Sequence, residues 1–487
     1  MWRDPCGFES RPEHQSKEAM KQKFLFGVIA FFAIGIFLTA EANPKYVFLF
    51  IGDGMSTPQR MTANEFSLKS GRGNLAMNAL PFQATTRTCS ANSLVTDSAA
   101  AATAIACGEK TLNGAVGLDA QGRRLESVAE FAQKAGKAVG IVTTVTINHA
   151  TPAGFYGHRK DRGEGYGLGL DLLASGFAYF AGGGLSKHDD RNYPGYRGDI
   201  YALAKDAGYT FIQNDRAAFD ALKPGGGKVW YVACEGPMPY SIDSGSWQGV
   251  PTLAELTAKG IELLAADSDG FFMMVEGGKV DWAGHANDAA TNLRDVLALD
   301  DAVKVALDFQ KTHAETLVVV TGDHETGGMT MGFAATGYAF YMDRLVNQTC
   351  STDALVQHIR QTRPADFAAL EPFLAEHFGF DFTTADTQKN PMAITADERK
   401  ELEKSFAHDL RLAREGKKEN EAYDAQKISH LPTAVKAIFS HKCGIGWTSG
   451  AHTALPVLTT AQGPGAERFV GFIDNTDLAK RLKDLVR

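Results

Sequence analysis

The sequence predicts an α/β fold of three layers, α/β/α, around a large, mostly parallel central sheet, with an inserted cap or crown region. Three observations point to it. Short uncharged runs rich in β-branched and aromatic residues, the kind buried on both faces of a parallel sheet, recur along the 487 residues. Segments of helical period lie between them. A polar residue ends or follows each run, and open parallel sheets bind ligands beyond the carboxyl ends of their strands.

In chain order the predicted strands are KYVFLFIG (45–52), AVGIVTT (138–144), GFFMMVEG (270–277), TLVVVTGD (316–323) and RFVGFID (468–474). Helical patterns include LESVAEFAQKAG (125–136) and TNLRDVLALDDAVKVALDFQKT (291–312), the latter apolar at three-to-four spacing and ending just before a strand. Asp53 follows the first strand, Thr151 lies shortly after the second, Glu276 ends the third, and Asp323 and His324 close the fourth. Polar groups far apart in sequence are therefore expected at one sheet edge. Residues 331–450 break the rhythm with the charge-dense stretch 389–427, which suits a solvated helical segment. They read as an insertion or cap between two parts of one catalytic domain, 43–330 and 451–487.

The first 42 residues read as a leader. Lys21 and Lys23 precede an uncharged apolar run of 17 residues, Phe24 to Ala40, and Ala40-Glu41-Ala42 supplies a small-x-small cleavage site. Met20 is the better start for such a signal. Cleavage after Ala42 predicts an exported protein, periplasmic or extracellular, and only an uncleaved leader would tie it to a membrane. A net charge of −8, without a Lys/Arg cluster, argues against a nucleic-acid partner. Five cysteines remain past the leader, Cys89, Cys107, Cys234, Cys350 and Cys443. Their wide spacing offers no zinc-binding CxxC pair and allows at most two disulfides in an oxidising compartment.

Chemistry-bearing residues cluster in short motifs. In VEGGKVDWAGH, Asp281 and His285 stand four apart, so on a helix they face one side and can share a metal ion. TGDHETGG places Asp323 and His324 in the turn after an apolar strand, where such residues also serve simply to bond backbone groups. FIGDGMS sets Asp53 between glycines, and SGAHTALP carries His452 among small residues. LVTDSAAAATAIACG puts Asp97 and Ser98 before a run of alanines, which are strong helix formers. Either residue suits a helix cap; alternatively Ser98 is a nucleophile in the positive field of a helix N-terminus.

Taken in order, GDGM, TDSAAAATA, HATPA, VEGGKVDWAGH, TGDHETGG and GAHT resemble the alkaline phosphatase family over about residues 45–460. The resemblance implies two zinc ions and one magnesium ion. Asp281, His285 and His452 would hold the first zinc, leaving a coordination position open. Asp323, His324 and Asp53 would hold the second, with Ser98 Oγ approaching it. Asp53 would bridge to the magnesium, where Glu276 and Thr151 supply hard oxygen ligands. Ser98 would attack phosphorus in line to give a phosphoserine that water then hydrolyses. HRKDRG offers Arg159 and Arg162, and the register from HATPA places Arg162 at the family's phosphate-binding arginine; a surface pairing of Arg162 with Asp161 or Glu164 is the alternative. Asp97 is left with a local role, as a cap or a hydrogen-bond acceptor.

The chain departs from the best-known bacterial pattern of that family at two places beside the metals: His149 stands for an aspartate and Trp282 for a lysine. The first change weakens the magnesium site, and the second removes a donor that reaches phosphate through water. The expected substrates are small phosphate monoesters, and the family's usual assembly is a homodimer. Three other functions make different demands on the sequence. A phosphodiesterase or nucleotide pyrophosphatase of the same superfamily commonly uses a threonine nucleophile, and a sulfatase needs a C/S-x-P-x-R motif that Ser98-Ala-Ala-Ala does not provide. A non-catalytic secreted protein that binds metal or phosphate predicts a missing nucleophile or ligand.

Overall fold

In the computed structural model, residues 43–415 and 428–487 are described. The predicted leader lies outside them, as does the end of the charged stretch, 416–427. Fourteen strands occur among these residues: β1 (Tyr46–Gly52), β2 (Phe82–Arg87), β3 (Ala138–Thr146), β4 (Tyr179–Gly183), β5 (Tyr209–Gln213), β6 (Lys228–Cys234), β7 (Phe271–Gly277), β8 (Thr316–Gly322), β9 (Glu325–Thr326), β10 (Thr330–Met331), β11 (Ile445–Gly446), β12 (His452–Thr453), β13 (Val457–Gln462) and β14 (Gly471–Asp474). Ten of them form one sheet in the order β14-β2-β13-β8-β1-β7-β3-β4-β6-β5, in which only β13 runs against its neighbours.

Side-chain alternation along the central strands builds a core on each face. Tyr46, Phe48 and Phe50 of β1 join Phe271, Met273 and Val275 of β7 on one side, under the helix Ala289–Gln310. Val47, Leu49 and Ile51 join Phe272 and Met274 on the other, with the helices Ser98–Cys107 and Val128–Lys134. Register then aligns the strand ends: Gly52 of β1 pairs with Gly277 of β7 and Gly322 of β8. Asp53, Glu276 and Asp323 therefore emerge at one level of one edge.

The five predicted strands are present, and the sheet is larger than they suggested. β2 and β13 are rich in threonine, so no apolar run marks them; Thr459 hydroxyl bonds Thr86 and Thr321 hydroxyls at 2.7 Å each and satisfies these buried groups across three strands. The last strand begins at Gly471 instead of Arg468. Ala466–Arg468 is a 3₁₀ turn whose carbonyl at Ala466 takes the Phe469 N–H, leaving it unavailable to a ladder. The charge-dense stretch does form a helix, Ala396–Arg414, and it is amphipathic, burying Leu402, Phe406 and Ala413.

No disulfide forms among the described residues, which lies within the bound of at most two bridges. The five thiols sit on separate elements and four of them are buried. Burial pushes Cys107 and Cys443 up to about 12 and Cys234 up to about 11, which leaves them as inert apolar side chains. Among the described residues no helix is long and apolar enough to cross a membrane.

Candidate active site

The helix Ser98–Cys107 starts beside the sheet edge, and its sequence resolves the two readings of Asp97-Ser98. Asp97 is the cap: its Oδ1 accepts the Ala100 N–H at 2.9 Å. Ser98 is therefore free of capping, buried, with Oγ 3.2 Å from His324 Nε2. The alanines also matter for packing. A Cβ at Gly154 would stand 2.8 Å from Ala102 Cβ, so only small residues let the short helix Ala150–Ala153, which carries Thr151, lie this close. Gly54 does the same for Asp53: its φ is +72°, and a Cβ there would lie 2.8 Å from Asp281 Cα.

Three groups of donor atoms converge, each within 4.8 Å: Asp53, Asp323 and His324; Asp281, His324 and His452; and Asp53, His149 and Glu276. In the first, His324 Nε2 lies 3.3 Å from both Asp53 Oδ1 and Asp323 Oδ2. In the second, the ring of His452 stacks on His324 with centroids 3.6 Å apart. Pairing of β9 with β12, His452 opposite Thr326, brings it there. His285 completes this side from the helix Lys279–His285, its Nε2 3.1 Å from His452 Nε2 and 3.4 Å from Asp281 Oδ2. In the third, Thr151 Oγ1 donates to Asp53 Oδ2 at 3.3 Å and His149 Nδ1 lies 4.0 Å from the same oxygen.

The tightest groups differ from the expected ligand sets in two respects. His324 bridges the first two groups, because its ring lies between Asp53 and His452, while His285 stands on the solvent side with its side chain 40% exposed. His149, expected only behind the magnesium ligands, has a ring nitrogen inside the third group.

The donor set fits cations. Asp53 Oδ1, Asp323 Oδ2, Glu276 Oε1 and His149 Nδ1 are all buried without a hydrogen-bond partner, an expensive condition for an unneutralised site. Burial, then repulsion from neighbouring carboxylates, holds Asp53 well above the usual carboxylate range, and burial does the same to Asp323. Burial also pushes Glu276 up to about 7, against the pull of its Thr143 hydrogen bond. Desolvation holds His324 well below the ordinary histidine value and lowers His149 to about 3, so both imidazoles are neutral. Because Arg162 Nη2 donates to His149 Nε2, His149 carries its proton on Nδ1, facing Asp53. The tautomers of His285 and His452 follow from their partners: each Nδ1 lies 2.8 Å from a backbone carbonyl, of Gly450 and Thr96 respectively. Their Nε2 lone pairs therefore face each other and Asp281, an arrangement that favours an ion between them.

Arg162 stands at the mouth. Its Nη1 is 3.2 Å from Asp97 Oδ2 and its Nη2 is 3.1 Å from His149 Nε2, so neither Asp161 nor Glu164 holds it. Arg159 is turned away and pairs with Asp171. Trp282 meets His149 edge-on, ring centroids 6.0 Å apart.

Sequence reasoning missed four supporting residues. Asp97 has a second role in anchoring Arg162. Thr143 donates to Glu276, and Thr326 donates to Asp281. Glu325, fully buried, accepts from Gln59 Nε2 at 2.6 Å, from Gly328 N at 2.9 Å and from the Thr453 hydroxyl, tying the turn after β8 to the strand that carries His452. A charged residue inside the glycine-flanked HETGG was the available signal for Glu325.

The family model described as alkaline phosphatase matches residues 44–167 and 173–487. Alkaline phosphatase 3 of Bacillus subtilis is 33% identical over 453 residues, covering 90% of this chain and 88% of its own. The repressible alkaline phosphatase of Saccharomyces cerevisiae is 31% identical over 467 residues, covering 86% and 76%. The crystal structure of a cold-active alkaline phosphatase from a psychrophilic Shewanella superposes with a TM-score of 0.76 at 28% identity, covering 91% of this chain and 100% of that one.

Proposed function

The chain belongs to the alkaline phosphatase family, and on that premise we propose that it is an exported phosphatase that hydrolyses phosphate monoesters through a phosphoserine on Ser98. The observation that carries the reading is the contact of Ser98 Oγ with His324 Nε2 at 3.2 Å, inside a set of donors whose buried atoms lack partners. Asp281, His285 and His452 would hold one zinc, Asp323, His324 and Asp53 a second, and Asp53, Glu276 and Thr151 a magnesium beside His149. When bound, these cations supply Lewis acidity toward the phosphoryl oxygens and the departing alcohol.

The chain's own groups do the rest. Ser98, freed of capping, gives up its hydroxyl proton and forms the O–P bond while the ester O–P bond breaks; the departing oxygen keeps that electron pair and takes up a proton to leave as the alcohol. Arg162 presents its two Nη groups to non-bridging oxygens, and Asp97 and His149 hold that fork in place. Water then cleaves the phosphoserine and restores the hydroxyl. Export rests on the leader of the first 42 residues.

Purified protein tests the reading against the diesterase alternative: phosphate is expected from a simple aryl monoester and not from its methyl diester. Faster diester turnover would reverse the assignment. Two variants probe the phosphate grip. Asp97→Ala removes a cap worth about 1 kcal/mol and also releases Arg162, so thermal stability falls and KM for the monoester rises. An unchanged KM contradicts the anchoring role. Trp282→Lys restores a cationic donor near the site and is expected to tighten inhibition by inorganic phosphate severalfold; unchanged inhibition contradicts the reading of that position.

A further inference from the structure

Lys279 has no part in the donor groups, yet it is only 4% exposed and opens the helix that carries Asp281, Trp282 and His285. A lysine is poorly suited to that place. The first turn of a helix carries the positive end of the dipole, and burial strips the ammonium of water. Among the described residues Lys279 forms no ion pair within 4.0 Å; desolvation lowers its pKa, and the carboxylates of Asp295, Asp353 and Asp243 attract it from farther off. Its Nζ lies instead 3.6 Å from the Tyr240 ring centroid and 4.5 Å from that of Trp282. Two aromatic faces on one desolvated ammonium make a strong cation–π site.

The two rings differ in how firmly they are held. Tyr240 is 7% exposed and precedes the 3₁₀ turn Ser241–Ser246. Ser241 binds Asp295 of the long helix Ala289–Gln310 through its Oγ at 2.9 Å, and nearby Met238 N donates to Thr144 O of β3 at 2.9 Å. This wall is therefore fixed to the scaffold from two sides. Lys279 is fixed as well, its own N–H donating to Thr144 Oγ1 at 3.2 Å. Trp282 is half-buried and meets His149 edge-on, and His149 Nε2 in turn lies 3.1 Å from Arg162 Nη2. Residues three apart on a helix share a face, so the Lys279 side chain naturally reaches Trp282.

We propose that Lys279 is a positioning residue that clamps the Trp282 indole against the Tyr240 wall, and through Trp282 and His149 sets the orientation in which Arg162 receives phosphate. The inference rests on the phosphatase reading for its consequence but not for the clamp. Lys279→Met keeps length and apolar bulk and removes the charge; Lys279→Arg keeps a cation that stacks on aromatic rings.

The test pairs two readouts. In protein labelled with fluorotryptophan, the Trp282 resonance, assigned with Trp282→Phe, is expected to shift and broaden in Lys279→Met and to stay near its wild-type position in Lys279→Arg. With inorganic phosphate as the probe, titrated into zinc- and magnesium-loaded protein, affinity is expected to fall about 3- to 10-fold in Lys279→Met and to recover in Lys279→Arg. Where turnover is measured, KM rises more than kcat falls. A Trp282 resonance unmoved by Lys279→Met overturns the clamp. A moved resonance with unchanged phosphate affinity overturns the link to Arg162. Absence of turnover in the wild-type protein, with the resonance shift as expected, would instead count against the phosphatase reading and leave the clamp standing.

Discussion

Replacing Ser98 by alanine is expected to lower phosphate release from a monoester by about 10⁴-fold or more, the scale on which removal of a covalent nucleophile acts. The fold should hardly notice. Asp97, not Ser98, caps the helix, and alanine is the better helix former at the first helical position. Thermal stability within about 1 kcal/mol of wild type, together with near-complete loss of turnover, separates a chemical role from a structural one. Activity within tenfold of wild type would contradict the covalent route.

The second large effect is a reversal of pH dependence by metal. In metal-free protein the Glu276 carboxyl, 4.5 in water, is pushed up to about 7 by burial. The folded state then favours the protonated form. Its stabilising contribution is complete below about pH 4.5 and is lost as pH rises toward 7. The shift corresponds to on the order of 3 kcal/mol for this group, and Asp53 and Asp323 act in the same direction. Metal-free protein should therefore melt at lower temperature at pH 8 than at pH 5, and adding zinc and magnesium should raise the melting temperature far more at pH 8. Glu276→Gln, compared across the same range, removes one contribution while keeping the common background of other titrating groups. A stripped wild-type protein with the same pH profile as this variant would contradict the electrostatic account.

The central sheet was legible where strands are buried on both faces. β1, β7 and β8 are continuous apolar runs, and a polar residue at the end of each marked the edge where Asp53, Glu276 and Asp323 meet. β2 and β13 escaped because their interior contacts include threonine hydroxyls, which carry no apolar signature, and in β2 the buried positions alternate with exposed ones. The donor residues were visible as short motifs. Their partition was not, because which imidazole stands between which carboxylates depends on the pairing of β9 with β12 across more than a hundred residues. The double role of Asp97 escaped for a similar reason. Its capping oxygen acts within its own helix, whereas the oxygen that holds Arg162 reaches a residue 65 positions away.

On the proposed reading, the converging carboxylates and imidazoles hold cations for phosphate-ester hydrolysis. The most direct measurement strips the protein with a chelator and follows phosphate release from a generic monoester as zinc, then magnesium, is returned, with bound metal counted by elemental analysis. Turnover is predicted to be absent in the stripped protein and to recover as zinc fills two sites per chain. Full turnover without metal, or metal bound at that ratio without any turnover, would contradict it.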